Sequence, residues 1–84
     1  MYQTNVETLN TSELQEEVLQ AIGELSPKLR PVIVLYDLQG LSYQDIAEIL
    51  KCPLGTVKSR LFNARAQLKQ KLETRLPIAD MFGV

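Results

Sequence analysis

The sequence predicts an all-α fold: a four-helix domain with a helix-turn-helix and a long C-terminal recognition helix. Three observations predict it. Apolar residues recur at three- and four-residue spacing from Leu14 to Leu72. Helix start and stop signals separate these runs, at Ser26-Pro27, at Gly40 before Ser42, and at Cys52-Pro53. The β-branched run Val32 to Tyr36 has no second strand-like run to pair with, so as a strand it would leave its backbone hydrogen bonds unmade.

Residues 1–10 are polar and without period, and are expected to be a flexible tail or the end of a linker. The domain proper is placed at 11–76. Thr11 or Ser12 is expected to cap the first helix, with Glu13, Glu16 and Glu17 near its positive end. Leu14, Val18, Ala21, Ile22 and Leu25 form its apolar face, and it should run to about Glu24. Ser26 and Pro27 start the second helix, a capping hydroxyl followed by proline at the first helical position. Its Val32–Tyr36 stretch is expected to be buried on most of its surface. Pro31 falls in its second turn and removes one backbone bond, which predicts a slight distortion at that point. Gly40 ends it with a left-handed cap.

Ser42, with Asp45 three residues on, resembles a capping box and opens the third helix, whose core face is Tyr43, Ile46, Ala47, Ile49 and Leu50. Lys51-Cys52-Pro53 is the turn. The last helix starts near Leu54 and runs to about Glu73 or Arg75, before Pro77. Residues 77–84, PIADMFGV, are an apolar C-terminal tail that either packs back or meets a partner.

The chain has 84 residues and a formal net charge of −1, which hides an asymmetry. From Met1 to Leu50 eight acidic residues face two basic ones, a balance of −6; from Lys51 to Val84 seven basic residues face two acidic ones, a balance of +5. A basic half for a polyanion and an acidic half for something else fits this split. One cysteine and no histidine exclude an internal disulfide, Cys/His metal sites and His-based acid–base chemistry. No catalytic constellation, metal site or cofactor motif is found, so the chain is read as a non-enzyme. No basic n-region followed by an apolar run is seen, and no apolar stretch nears the ~20 residues that span a bilayer. The expectation is a reducing, cytoplasmic setting without membrane insertion.

A helix-turn-helix lays its second helix in the major groove of DNA. With about 100° per residue from Leu54, the side chains of Val57, Leu61, Ala64, Leu68 and Leu72 share the packed face. Gly55, Ser59, Phe62, Asn63 and Ala66 point the other way. Asn63 is suited to a bidentate bond with adenine, Ser59 to bases or phosphate, and Phe62 to thymine methyl groups. Lys58, Arg65 and Lys69 on one edge and Arg60 on the other are placed for phosphates, which give affinity and register rather than sequence information.

The run from Leu25 to Leu68, LSPKLRPVIVLYDLQGLSYQDIAEILKCPLGTVKSRLFNARAQL, resembles region 4 of bacterial sigma factors, the extracytoplasmic-function group in particular. The specific pieces are GLSYQDIAEIL, CPLGTVKSRL and Ala64-Arg65, and the resemblance covers about Leu14 to Leu72. It implies a domain that reads the promoter −35 element in double-stranded DNA and docks on the β flap of RNA polymerase core, with an anti-sigma factor as a further partner. Matching positions imply that Lys58, Ser59, Phe62 and Asn63 face the −35 bases. Asn63 departs from the Arg often found there, Lys51 replaces the usual Gly of the turn, and Pro31 replaces a helix-friendly residue. The −10-opening region of that family has no counterpart here, so the expectation is a C-terminal fragment or a stand-alone domain, monomeric alone and unable to melt a promoter.

The alternative is the DNA-binding domain of a response-regulator or quorum-type transcription factor, where a further helix serves dimerisation. Here the basic helix simply continues as LFNARAQLKQKL. A pure protein-interaction module predicts an uncharged or acidic last helix, and this one is basic.

Overall fold

The computed structural model describes residues 11–75. Within them the chain forms four helices and no strand: α1 Thr11–Gly23; α2 Arg30–Ile33, continuing as a π-helical turn Val34–Leu38; α3 Tyr43–Leu50; and α4 Leu54–Arg75.

Ser12 lies inside α1 and does not precede it as a cap. Ala21 and Ile22 are buried and Val18 packs against the core, but Leu14 is 37% exposed. Leu14 shares the angular face of Ala21 yet lies two turns nearer the N-terminus, beyond the end of the packed core. At the other end α1 tightens, with Glu24 N–H donating to Ala21 O and Leu25 N–H to Ile22 O, both at 3.1 Å. Arg30 Nη2 then donates to Leu25 O at 3.0 Å, satisfying a carbonyl that the helix end leaves open.

Ser26 starts a turn: its carbonyl accepts from Leu29 and Arg30 N–H at 3.0 Å. Pro31 falls in the first turn of α2, where its missing N–H matters little. The expected distortion at Pro31 is therefore displaced. It appears at Val34, where the ladder widens and Gln39 N–H reaches Val34 O at 3.0 Å. The burial expected for Val32–Tyr36 is also narrower: Val32 and Ile33 are buried, whereas Val34, Leu35 and Tyr36 are half-buried. Gly40 ends the helix at φ 74°, and Leu41 N–H reaches back to Leu35 O at 3.0 Å.

Ser42 caps α3, its Oγ accepting from Asp45 N–H at 3.1 Å. Ile46 is fully buried, with Tyr43, Ala47 and Leu50 packed beside it. Ile49, assigned to this face, is 54% exposed. The buried arc of α3 runs from Ile46 through Leu50 and Tyr43 to Ala47, and Ile49 falls some 60° outside it at 100° per residue. Lys51 takes the left-handed conformation (φ 54°), and its neighbour Cys52 donates N–H to Ala47 O at 3.1 Å. After Pro53, α4 runs 22 residues, roughly 33 Å.

The core joins Ile22 and Leu25, Val32 and Ile33, Ile46, and Val57, Leu61 and Ala64 of α4. Among the described residues no polar or charged residue is buried, so apolar burial, roughly 1.5–3 kcal/mol for each large side chain, fixes how α3 presents α4. Further along, Glu24 pairs with Lys71 at 3.6 Å and with Arg75, tying α1 to α4. The Arg75 guanidinium, helped by Lys71, holds the Glu24 carboxyl below its ordinary range.

Candidate nucleic-acid interface

The three-residue turn at Lys51-Cys52-Pro53 sets α4 against α3, and Val57, Leu61 and Ala64 turn one side of α4 inward. The 3.6-residue period then dictates the rest. Gly55, Ser59, Phe62, Asn63 and Ala66 are all exposed, as the periodicity required, and Phe62 is 75% exposed. Leu68 and Leu72 are half-buried and close the inner face toward the C-terminal end.

Each candidate side chain has a defined surrounding. Ser59 Oγ donates to Thr56 O at 3.3 Å, so its proton is engaged within the helix while its lone pairs face outward as acceptors. Phe62 and Asn63 stand on the open face. Lys58 lies over the Tyr43 ring, 5.7 Å from its centroid. Lys69 has its side chain 77% exposed and meets Glu73 one turn on at 3.9 Å, a contact of little energetic weight. Arg60 is half-buried on the opposite edge.

Arg65 lies on the edge its sequence position implies, with Lys58 and Lys69, but carries a partner the sequence does not show. Its guanidinium grips Asp37 in a fork, Nη2 to Oδ1 at 2.5 Å and Nε to Oδ2 at 3.2 Å, and stands 5.2 Å from the Tyr36 ring centroid. Tyr36 stacks on Tyr43, centroids 4.9 Å apart and planes 19° from parallel. Tyr43, with partial desolvation, pushes the Tyr36 phenol up, so this ring stays neutral and keeps its π face for the cation. Tyr36, Asp37 and Tyr43 are the residues that the sequence reading passed over. No periodicity links Asp37 to Arg65; only the packing of the α2 end against α4 brings them together.

Tyr43, Lys58, Phe62, Arg65, Ala66 and Lys69 line an open groove along one edge of the exposed face. Chemically the surface offers acceptors, the Asn63 amide, the Phe62 and Tyr43 rings and flanking cations. It has no nucleophile beside a base. Among the described residues no cluster of His, Cys, Asp or Glu is arranged to hold a metal, and no helix is long and apolar enough to cross a membrane.

A second surface lies away from this one. Leu14, Val18, Leu19 and Leu38 line an apolar depression between α1 and the end of α2. Glu13 and Glu16 are exposed on the same helix.

Comparison with known proteins gives one consistent result. Residues 15–68 match the family described as Sigma-70, region 4. An ECF RNA polymerase sigma-E factor of Haemophilus influenzae is 48% identical over 63 residues, 75% of this chain and 33% of that protein. Proteins of the same name from Salmonella typhimurium (strain LT2) and Escherichia coli (strain K12) are 45% identical over 71 residues, 83% of this chain and 37% of theirs. The chain thus spans about a third of the length of the curated relatives it matches.

Proposed function

The chain belongs to the sigma-70 region 4 family, and on that premise we propose that it reads the −35 element of promoter DNA as part of a sigma factor directing RNA polymerase to initiate transcription. The observation that carries the proposal is the outward face of α4: Ser59, Phe62 and Asn63 at its centre and cations along its edges. Asn63 bonds a base edge, best adenine, through its paired acceptor and donor. Ser59 contributes as an acceptor, and Phe62 contacts thymine methyl groups. Lys58 borders these positions and meets either base or phosphate. Arg60 and Lys69 hold phosphates and set register. Arg65 lies on the same edge as Lys69, but Asp37 engages it in the free domain.

The domain needs no cofactor in this role and catalyses nothing itself. Its further partners are the polymerase β flap and an anti-sigma factor, which fit the acidic, partly apolar surface of α1 and the α2 end. An anti-sigma factor that binds equally well after charge reversal of α1 and removal of residues 77–84 would refute that assignment. Residues 77–84, like the linker at 1–10, lie outside the described residues.

The response-regulator alternative is not favoured, because the family match covers α1 to α4 and α4 runs on as one helix to Arg75. The direct test is a binding selection from random duplex DNA, with the 84-residue chain alone and joined to polymerase core. Enrichment of one short non-palindromic element supports the proposal. Recovery of a palindrome bound by a dimer contradicts it.

A further inference from the structure

Three cations on the groove edge of α4 have unequal surroundings. Lys58 faces a ring, and Lys69 meets only a carboxylate on its own helix at 3.9 Å. Arg65 alone is held by a carboxylate from another element, Asp37 in the π-helical turn of α2, through both oxygens. The hold has three parts. The guanidinium fork is filled by the two Asp37 oxygens, the geometry in which arginine also grips a phosphate. The Tyr36 ring engages the guanidinium at 5.2 Å. Tyr36 itself is pinned by its stack on Tyr43, the first residue of α3.

We propose that Asp37 is a positioning residue that withholds Arg65 from the DNA backbone and so lowers binding to duplex DNA of any sequence. This inference rests on the DNA-binding reading above. Asp37 takes the Nε–Nη2 edge of the guanidinium, so a phosphate must displace it from that edge or approach the remaining N–H donors beside the Asp37 charge. If it displaces Asp37, a bare carboxylate is left beside a polyanion, and like charges repel. Both effects act alike on every sequence, because phosphates carry no base information. The contacts of Ser59, Phe62 and Asn63 therefore make up a larger share of the total, while the ratio of specific to non-specific binding stays where those contacts set it. The Tyr36–Tyr43 stack keeps Arg65 parked in one place.

The test uses the 84-residue chain, a random-sequence duplex and a salt series, with each variant's helicity and melting checked. Asp37→Asn should raise affinity for random duplex and steepen the log–log salt slope by about one. The gain should therefore shrink about threefold to fourfold when salt is raised fourfold. Asp37→Ser should do the same, which guards against a peculiarity of the amide, and Asp37→Glu should restore the original slope. Combined with Arg65→Gln, Asp37→Asn should gain clearly less than it does with Arg65 present, since only the repulsion of the bare carboxylate is then relieved.

Two results overturn the inference: Asp37→Asn and Asp37→Ser leave the slope unchanged or weaken binding, or their gain persists undiminished beside Arg65→Gln, which would mean that removing a negative charge suffices. If the unaltered chain shows no salt-dependent binding to duplex DNA at all, the DNA-binding reading falls and takes this inference with it. If the unaltered chain binds while Asp37→Asn has no effect, only the inference falls.

Discussion

In the first half of α4, Lys58 and Arg60 border an exposed face and meet no carboxylate among the described residues, whereas in the second half Lys71 and Arg75 are drawn onto Glu24 of α1. Arg65, between them, is drawn onto Asp37. Three of the seven basic residues that give the C-terminal stretch its excess are thus paired with acidic residues of the N-terminal stretch. The charge split of the linear chain is partly folded away. The cations left for a polyanion are concentrated near the start of α4, beside Ser59, Phe62 and Asn63. A basic helix is therefore no uniform DNA-binding element; its near part and Lys69 are open, while Lys71 and Arg75 serve as a strut.

Five substitutions test this contrast. The largest effect is expected from Ile46→Ala, since Ile46 is fully buried and both halves of α4 rely on the core it completes. It should lose about 2–5 kcal/mol of folding stability in denaturant titration, and DNA binding should fall in proportion to the unfolded fraction. Ser59→Ala comes next. It should weaken the preferred site by about 1–3 kcal/mol and relax one base position, while leaving stability nearly unchanged.

The third comparison pits Lys69→Ala against Lys71→Ala. Lys69→Ala should weaken binding to all sequences alike and reduce the salt slope by about one. Lys71→Ala should leave the slope unchanged and cost at most about 1 kcal/mol of stability, since the Lys71–Glu24 pair is half-exposed. Both lie in the second half of α4, so a slope that drops equally for both would erase the contrast between its exposed groove edge and the residues paired with Glu24. The smallest effect belongs to Lys51→Gly. Lys51 sits at φ 54°, and glycine adopts that conformation without strain, so the variant should gain about 0.5–1 kcal/mol in thermal or chemical unfolding, with DNA affinity unchanged.

Much of the fold was legible because it rests on local signals. Ser42 caps α3, Gly40 takes the positive φ, and Val57, Leu61 and Ala64 carry a clear helical period into the core. The exposed face of α4 followed from that period alone. Other features depend on packing between distant segments. The π-helical turn at Val34–Leu38 leaves no trace in composition, since β-branched and apolar residues read the same in either ladder. Ile49 was assigned to the core because a short helix spans few turns and its buried arc has a loosely defined centre. The hold of Asp37 on Arg65 joins residues 28 apart in the chain, so both looked like independent surface charges.

The middle of the outward face of α4 is proposed to read bases. Asn63 tests it most directly. Affinities of Asn63→Ala and of the unaltered chain should be measured, with polymerase core present, on the preferred duplex and on a series carrying one base-pair change at each position. Asn63→Ala should lose about 1–3 kcal/mol on the preferred duplex and become indifferent to changes at one position that the unaltered chain discriminates. An equal loss on every duplex, with discrimination intact at all positions, would contradict it.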